Sequence, residues 1–243
     1  MNACGVLFDV DDTLVDLESA MRAAFRDLAS AHLLQEGTVW EDAAWEAALG
    51  TFCEDAGGQY ARYLAGDLSF LEQRIARVRD AYRAAGAPVP DPQSLLRWED
   101  EYEQVVRRRW RPFDDVPQAL DRLRHAGVAV GAVTNNVADY QREKLRIAGL
   151  ESIEVVVGTD TVGAVKPDAA IFHEGARQLG LAPEQCAYVG DNPVVDGAGA
   201  REAGLVSVLV DRRDLVDAPA GVTKVSTLEA AVDFVLGAPA RVE

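Results

Sequence analysis

Two aspartates with one residue between them lie at the end of the first apolar run of the chain. This run, residues 4–10, contains Asp9, and Asp11 follows it directly. Two carboxylates at this spacing ionise together when a cation lies between them. Asp191, after a later apolar run, could supply a third oxygen ligand. Carboxylates without a cluster of histidines or cysteines favour Mg²⁺ over zinc, so the pattern predicts a magnesium site.

Lys166 is the candidate for a positively charged side chain in this site. The 24 basic residues divide into 3 lysines and 21 arginines, and Lys166 stands directly before Pro167 in a predicted loop. Its compact charge suits an aspartate oxygen or a phosphate, although an exposed loop lysine would look the same. Thr134 and Asn135 could present a hydroxyl and backbone N–H groups to an anionic oxygen, or simply form a turn.

The elements that must position these residues are strands and helices in alternation. Short apolar runs predict strands at 4–10, 128–134, 155–157, 186–190 and 206–210. Helical patterns predict helices at 115–126, 138–148, 168–180, 194–203 and 227–236. This alternation is typical of an α/β fold with a doubly wound parallel sheet, a Rossmann-like core. Ligands bind such a sheet at the carboxyl ends of its strands, where the candidate residues lie.

The segment between the first strand and residue 112 has a different pattern. Apolar residues recur there at helical spacing, which predicts helices at 17–34, 38–53, 68–85 and 92–109. We therefore expect a discontinuous α/β core made of residues 1–15 and 112–243. An all-helical domain, residues 16–111, is inserted between the two parts.

Composition excludes several classes of partner. The chain has 243 residues with a net charge of −16, which argues against binding a nucleic acid polymer or an anionic membrane surface. No run approaches the roughly 20 apolar residues of a membrane span. Its 3 cysteines are far apart, which favours a reducing, cytoplasmic compartment. The sequence leaves the oligomeric state open.

Four motifs resemble those of the haloacid dehalogenase superfamily. The segment D-V-D-D-T-L-V at 9–15 resembles the first motif, and Thr134 resembles the second. Lys166-Pro167 is similar to the third, and G-D-N-P-V-V-D at 190–196 is similar to the fourth. The motifs occur in the order of the family, and the helical insertion resembles its C1 type of cap domain.

The resemblance implies a Mg²⁺-dependent phosphoryl transfer. Asp9 would attack phosphorus and form an aspartyl-phosphate, while Asp11 would act as general acid and then general base. Mg²⁺ would be held by the Asp9 carboxylate, the Asp11 backbone carbonyl and Asp191. Lys166 and Thr134, with the adjacent Asn135, would hold the phosphoryl oxygens.

The resemblance further implies that Asp196 positions metal-bound water or the lysine. Because Asp11 is present, we expect a phosphatase for a small phosphomonoester such as a sugar phosphate or a nucleotide, similar to nucleotidases and N-acylneuraminate phosphatases. A phosphomutase of the β-phosphoglucomutase type is the alternative. A 2-haloacid dehalogenase, which lacks the second acid, and a non-catalytic module are disfavoured.

Overall fold

The computed structural model describes residues 3–237, and it divides the chain into two compact units. One unit runs from the start of the chain to Asp16 and resumes at Arg111, and the other is Leu17–Trp110. The expected domain boundaries, after residues 15 and 111, lie one residue from this division. That the second unit serves as a cap domain stays a prediction.

The second unit, here called the helical unit, contains five helices: α1 (Leu17–Gln35), α2 (Asp42–Cys53), α3 (Gln59–Leu64), α4 (Phe70–Ala84) and α5 (Pro92–Arg107). Of these, α3 is not predicted by the sequence pattern. Ser69 fixes the start of α4 because its hydroxyl accepts the amide of Glu72, whose carboxylate accepts the amide of Ser69. Aromatic rings from three helices form the centre, with Phe25 and Phe52 4.8 Å apart and Phe52 and Tyr102 5.5 Å apart.

The first unit, here called the α/β unit, is built on a six-stranded sheet. Its strands are β1 (Gly5–Phe8), β2 (Ala129–Val133), β3 (Val155–Val157), β4 (Cys186–Gly190), β5 (Val206–Val210) and β6 (Thr223–Val225). Their order is β3-β2-β1-β4-β5-β6 and every neighbouring pair is parallel. The predicted α/β class with a parallel sheet is therefore confirmed. The edge strand β6 escapes prediction because it is three residues long and only half-buried.

Helices of the α/β unit follow the strands as the alternation predicts. They are α6 (Val116–His125), α7 (Ala138–Ile147), α8 (Thr159–Val162), α9 (Ala169–Gln178), α10 (Gly199–Glu202) and α11 (Leu228–Val235). The predicted helix at 194–203 is wrong in detail, since a π-helical turn at Pro193–Ala198 precedes α10. The buried core beneath the sheet includes Leu7, Phe172 and Tyr188. Among residues 3–237, the structure contains no helix with the length and apolarity needed to span a membrane.

The register of the sheet explains why polar residues meet at one edge. Phe8, the last residue of β1, pairs with Ala132 of β2 on one side and with Val189 of β4 on the other. The three central strands thus end at the same level. The residues that follow them, among them Asp9 and Asp191, emerge together at the carboxyl edge of the sheet.

Candidate active site

Backbone hydrogen bonds hold the loop that follows β1. The amide of Asp9 donates to the carbonyl of Val189 at 2.9 Å, which extends the pairing with β4 by one residue. The amides of Leu14 and Val15 then both donate to the carbonyl of Val10, at 3.1 and 2.9 Å. Asp12 takes a left-handed conformation with φ of 59° inside this turn, which a short polar side chain tolerates. The turn fixes the backbone on which Asp9 and Asp11 stand.

Lys166 contacts three oxygens from three segments of the α/β unit. Its Nζ lies 2.8 Å from Asp9 Oδ1, 2.7 Å from Asp196 Oδ1 and 2.9 Å from the hydroxyl of Tyr188. An ammonium group has three protons, so all of its donors are used. Lys166 is buried, with 4% of its surface exposed. The structure therefore places the side chain of Lys166, the predicted cationic group, in contact with Asp9, the predicted nucleophile.

Asn135 holds the segment that carries Lys166. Its Nδ2 donates to the carbonyl of Lys166 at 3.0 Å, and its Oδ1 accepts the amide of Lys166 at 2.5 Å. Because the side chain of Asn135 binds the backbone of Lys166, the prediction that Asn135 binds phosphate applies to its backbone N–H group. Thr134 is buried beside it and accepts a hydrogen bond from Gln141 at 3.0 Å.

Asp191 and Asp196 are positioned by the turn after β4. Thr13 donates its hydroxyl proton to Asp191 Oδ1 at 3.2 Å, and Asp196 Oδ2 accepts the amide of Asn192 at 3.0 Å. A Cβ atom at Gly190 would lie 2.4 Å from the Asp196 carboxyl carbon. Only glycine at this position lets the carboxylate of Asp196 approach the end of the strand closely enough to reach Lys166.

The electrostatics of the site are dominated by burial and by an excess of carboxylates. Burial raises the pKa of Asp9 well above its usual value; Lys166 opposes this, and Asp196 and Asp191 add to it. Burial, with Asp196 and Asp12, raises the pKa of Asp191 to about 7. Burial disfavours the ammonium form of Lys166, but the Asp196 and Asp9 carboxylates outweigh it and raise its pKa well above the usual value. The site has more negative charge than one lysine can balance.

Three carboxylates at this edge fit a divalent cation. One oxygen each from Asp9, Asp191 and Asp196 lies within 4.8 Å of the others. Hard oxygen donors without histidine or cysteine suit Mg²⁺, and a cation would relieve the repulsion that raises the pKa values of Asp9 and Asp191. The set includes Asp196, which we expected to act behind the metal ligands, and leaves out the side chain of Asp11.

The Asp11 side chain lies instead against helix α7. Gln141 Nε2 lies 2.8 Å from Asp11 Oδ2, and the ammonium group of Lys144 contacts Asp11 Oδ1. Both partners are buried, whereas about a quarter of the Asp11 side chain (26%) is exposed. Asp11 could still contribute its backbone carbonyl to a metal, as the resemblance implies.

Three residues of this site are not identified by the sequence analysis. Tyr188 occupies an apolar strand, where nothing marks its hydroxyl as a partner of Lys166 and Asp196. Gln141 and Lys144 look like the polar face of a helix. The scarcity that singles out Lys166 applies equally to Lys144, one of only 3 lysines in the chain, and could have found it.

Comparison with known proteins agrees with the geometry. The family model of haloacid dehalogenase-like hydrolases matches residues 5–204. The glyceraldehyde 3-phosphate phosphatase of Methanopyrus kandleri is 34% identical over 213 residues, which cover 85% of this chain and 83% of that protein. The phosphoserine phosphatase of Thermus thermophilus is 32% identical over 228 residues, which cover 85% of this chain and 88% of that protein.

A solved structure shares the fold. The HAD-hydrolase YfnB from Bacillus subtilis, crystallised bound to magnesium, superposes with a TM-score of 0.76 at 19% identity, covering 97% of this chain and 99% of that one. The matched region of the family model contains all four motifs. The resemblance predicted from those motifs is confirmed, and the chain belongs to the family of haloacid dehalogenase-like hydrolases.

Proposed function

We propose that the protein is a Mg²⁺-dependent phosphatase that hydrolyses a small phosphomonoester through a phosphorylated Asp9. One observation carries the proposal: a buried carboxylate at the carboxyl edge of the sheet contacts Lys166 at 2.8 Å, with a second acid two residues further on. Relatives that match most of the chain are named as phosphatases of phosphorylated metabolites, which supports the same reaction class.

Asp9 is the nucleophile in this proposal. A carboxylate oxygen of Asp9 forms a bond to phosphorus while the bond from phosphorus to the ester oxygen breaks. Lys166 opposes the effect of burial on the Asp9 pKa and holds one carboxylate oxygen in place. Tyr188 and Asp196 orient Lys166 in turn, because each contacts the same ammonium group.

Asp11 transfers the protons. It gives a proton to the leaving alkoxide in the first step and takes one from the attacking water in the second, in which the bond between phosphorus and Asp9 breaks. Asp11 is two residues from the nucleophile and part of its side chain is exposed, so it can reach an oxygen outside the buried cluster. A dehalogenation would need no proton donor at this position.

The metal would be held by the Asp9 and Asp191 carboxylates and by the Asp11 backbone carbonyl. When bound, Mg²⁺ supplies positive charge that offsets the repulsion between an anionic nucleophile and a phosphate. Asp196 holds Lys166 and the Asn192 amide, and this network fixes the ligand loop. The buried hydroxyl of Thr134 and the backbone N–H of Asn135 would bind the phosphoryl oxygens, and Lys166, whose three protons already meet protein oxygens, would attract them by its positive charge.

The substrate class in this proposal is a phosphorylated small metabolite rather than a polyanion. The net charge of −16 disfavours substrates that offer many phosphates, whereas one phosphate can be received by a metal and Lys166. We also infer that the protein works in the cytoplasm, because all 3 of its cysteines are free thiols.

A panel assay tests the proposal. Phosphate release would be measured with Mg²⁺ and with EDTA on glyceraldehyde 3-phosphate, phosphoserine, phosphoglycolate, a nucleoside monophosphate and a hexose phosphate. We expect Mg²⁺-dependent release from at least one ester, and a loss of at least about 10³-fold in Asp9→Asn. Asp214→Asn is the matched control, because Asp214 also pairs with a lysine but lies exposed on the surface.

Two outcomes would contradict the proposal. Release that persists undiminished in Asp9→Asn would remove Asp9 as nucleophile. Isomerisation of a sugar phosphate without any release of phosphate would favour the phosphomutase over the phosphatase.

A further inference from the structure

Helix α7 presents two buried polar side chains to Asp11, and the roles assigned so far do not use them. Gln141 and Lys144 are three residues apart, so they lie on one face of the helix. Lys144 contacts one oxygen of the Asp11 carboxylate and Gln141 contacts the other, at 2.8 Å. The side chain of Lys144 is only 2% exposed, against 26% for Asp11.

This burial needs an explanation, because a lysine seldom leaves water completely. Desolvating an ammonium group is costly, and only a well-placed partner repays the cost. The contact with Asp11 spans 133 residues of sequence, so local helix structure does not produce it. These contacts do not cover Asp11 completely, because 26% of its side chain remains exposed.

Gln141 also links Asp11 to the end of β2. Its Nε2 lies 2.8 Å from Asp11 Oδ2 and 3.0 Å from the hydroxyl of Thr134. The side-chain amide of Gln141 therefore sets the distance between Asp11, the proposed acid and base, and Thr134, a proposed ligand of the phosphoryl group. A carboxylate has about four lone-pair sites, so these two contacts leave room for a leaving oxygen or a water.

We propose that Lys144 and Gln141 are positioning residues that hold the carboxylate of Asp11 for proton transfer. The inference rests on the proposed phosphatase function. In the first step the proton of Asp11 goes to the ester oxygen as the bond from phosphorus to that oxygen breaks and the bond from Asp9 to phosphorus forms. In the second step water forms the new bond to phosphorus, its proton goes to Asp11, and the Asp9 carboxylate leaves.

Two esters separate these steps in an experiment. 4-Nitrophenolate leaves without a proton, so the first step on 4-nitrophenyl phosphate needs no acid, whereas the second step still needs the base. An alkyl phosphate, for which we choose the ester that the wild-type protein hydrolyses fastest in the panel, needs Asp11 in both steps. Stopped-flow measurement of 4-nitrophenolate with the full chain and Mg²⁺ resolves a burst, one turnover per site, from the steady state that follows.

We expect Lys144→Met to lower kcat on the alkyl phosphate by about 10- to 100-fold, with a smaller change in KM. On 4-nitrophenyl phosphate the burst rate should stay within about threefold of the wild type while the steady state falls by the same 10- to 100-fold. A variant that was merely misfolded would lose the burst and the steady state together.

Lys224→Met is the matched control, because Lys224 also pairs with aspartates but lies on the edge strand β6, and this variant should behave as the wild type. Gln141→Met, nearly equal in volume, repeats the test by removing the other contact, and it decides the matter if Lys144→Met does not fold. Wild-type turnover in both variants, or equal loss of burst and steady state, would overturn the inference and leave the phosphatase standing. Absence of phosphate release from the wild type, or full release by Asp9→Asn, would instead contradict the function itself.

Discussion

Each unit of the protein contains a buried cation that lies near two carboxylates, and the two clusters are built differently. At the sheet edge, Lys166 lies 2.8 Å from Asp9 and 2.7 Å from Asp196. In the helical unit, Arg74 lies 3.8 Å from both Glu99 and Glu103. The first cluster joins residues from three segments of the α/β unit that are far apart in sequence, whereas the second joins the facing surfaces of α4 and α5.

The difference lies in hydrogen bonding. All three protons of Lys166 meet oxygens, whereas Oε2 of Glu99 and of Glu103 accepts no hydrogen bond among the described residues. The guanidinium group of Arg74 lies 4.6 Å from the centre of the Tyr102 ring, so packing on an aromatic face fixes it as much as charge does. Burial, only partly opposed by Arg74, raises the pKa of Glu99 to about 7. The sheet-edge cluster therefore holds its cation by hydrogen bonds, whereas the helical cluster contains a carboxylate, Glu99, whose raised pKa favours the uptake of a proton.

The largest effect that tests this contrast is expected for Lys166→Met. Asp9 and Asp196 would remain buried without their cation, which costs about 3–5 kcal/mol of stability in the α/β unit. Phosphate release should fall by about 10²- to 10³-fold. Hydrogen exchange of the amides of β1 and β4 measures the stability, and the panel assay measures the activity. Unchanged exchange would show that the three contacts of Lys166 contribute nothing to the fold.

A pH titration of Glu99 should give the next largest effect. The folded pKa of about 7 is above the usual value of 4.5, so the folded unit binds more protons between these limits. The free energy of unfolding of the helical unit, relative to Glu99→Gln, should therefore fall by up to about 3 kcal/mol as the pH rises from 4.5 to 7. Above pH 7 the difference in the free energy of unfolding between the wild type and Glu99→Gln should change little.

Tryptophan fluorescence reports this transition selectively, because all 4 tryptophans lie in the helical unit. Unfolding in urea at each pH gives the free energy. Glu101→Gln is the matched control, since Glu101 lies on the same helix α5 but is exposed, and it should keep the pH dependence of the wild type. If the free energy of unfolding changed with pH equally in the wild type and in Glu99→Gln, Glu99 would have no part in the pH dependence.

The smallest effect is expected for Arg74→Met, the counterpart of Lys166→Met. Methionine keeps apolar contact with the Tyr102 ring, and Glu99 can take up a proton once the cation is gone. We expect the helical unit to lose about 1–2 kcal/mol, measured by the same fluorescence transition. A loss as large as that of Lys166→Met would mean that the two clusters do not differ in the way proposed.

The sequence predicts the sheet-edge cluster far better than the helical one. Asp9 and Asp191 directly follow the strands β1 and β4, and Lys166 lies in the loop that comes after β3 and the short helix α8. Parallel strands bring such positions to one edge. Asp196 is found by its motif, because it lies beyond the strand and reaches Lys166 only through the close approach at Gly190. The order of elements thus predicts where functional side chains meet without any knowledge of packing.

The contacts that escape prediction depend on packing between elements. Lys144 contacts Asp11 from a helix far along the chain, and helical spacing gives the face of a residue but not its partner. Arg74 and Glu99 meet because α4 and α5 pack in one register, which no motif encodes. Tyr188 looks like any aromatic core residue until its hydroxyl is seen beside Lys166.

Trapping the intermediate tests the central claim, that Asp9 carries the phosphoryl group. The protein with Mg²⁺ would be mixed with its best phosphomonoester, acid-quenched within one turnover and treated with borohydride, which reduces an aspartyl-phosphate to homoserine. Peptide mass spectrometry should then find homoserine at position 9 in the wild type and none at position 9 in Asp9→Asn. Full turnover with an unmodified Asp9, or homoserine at another aspartate, would contradict the account.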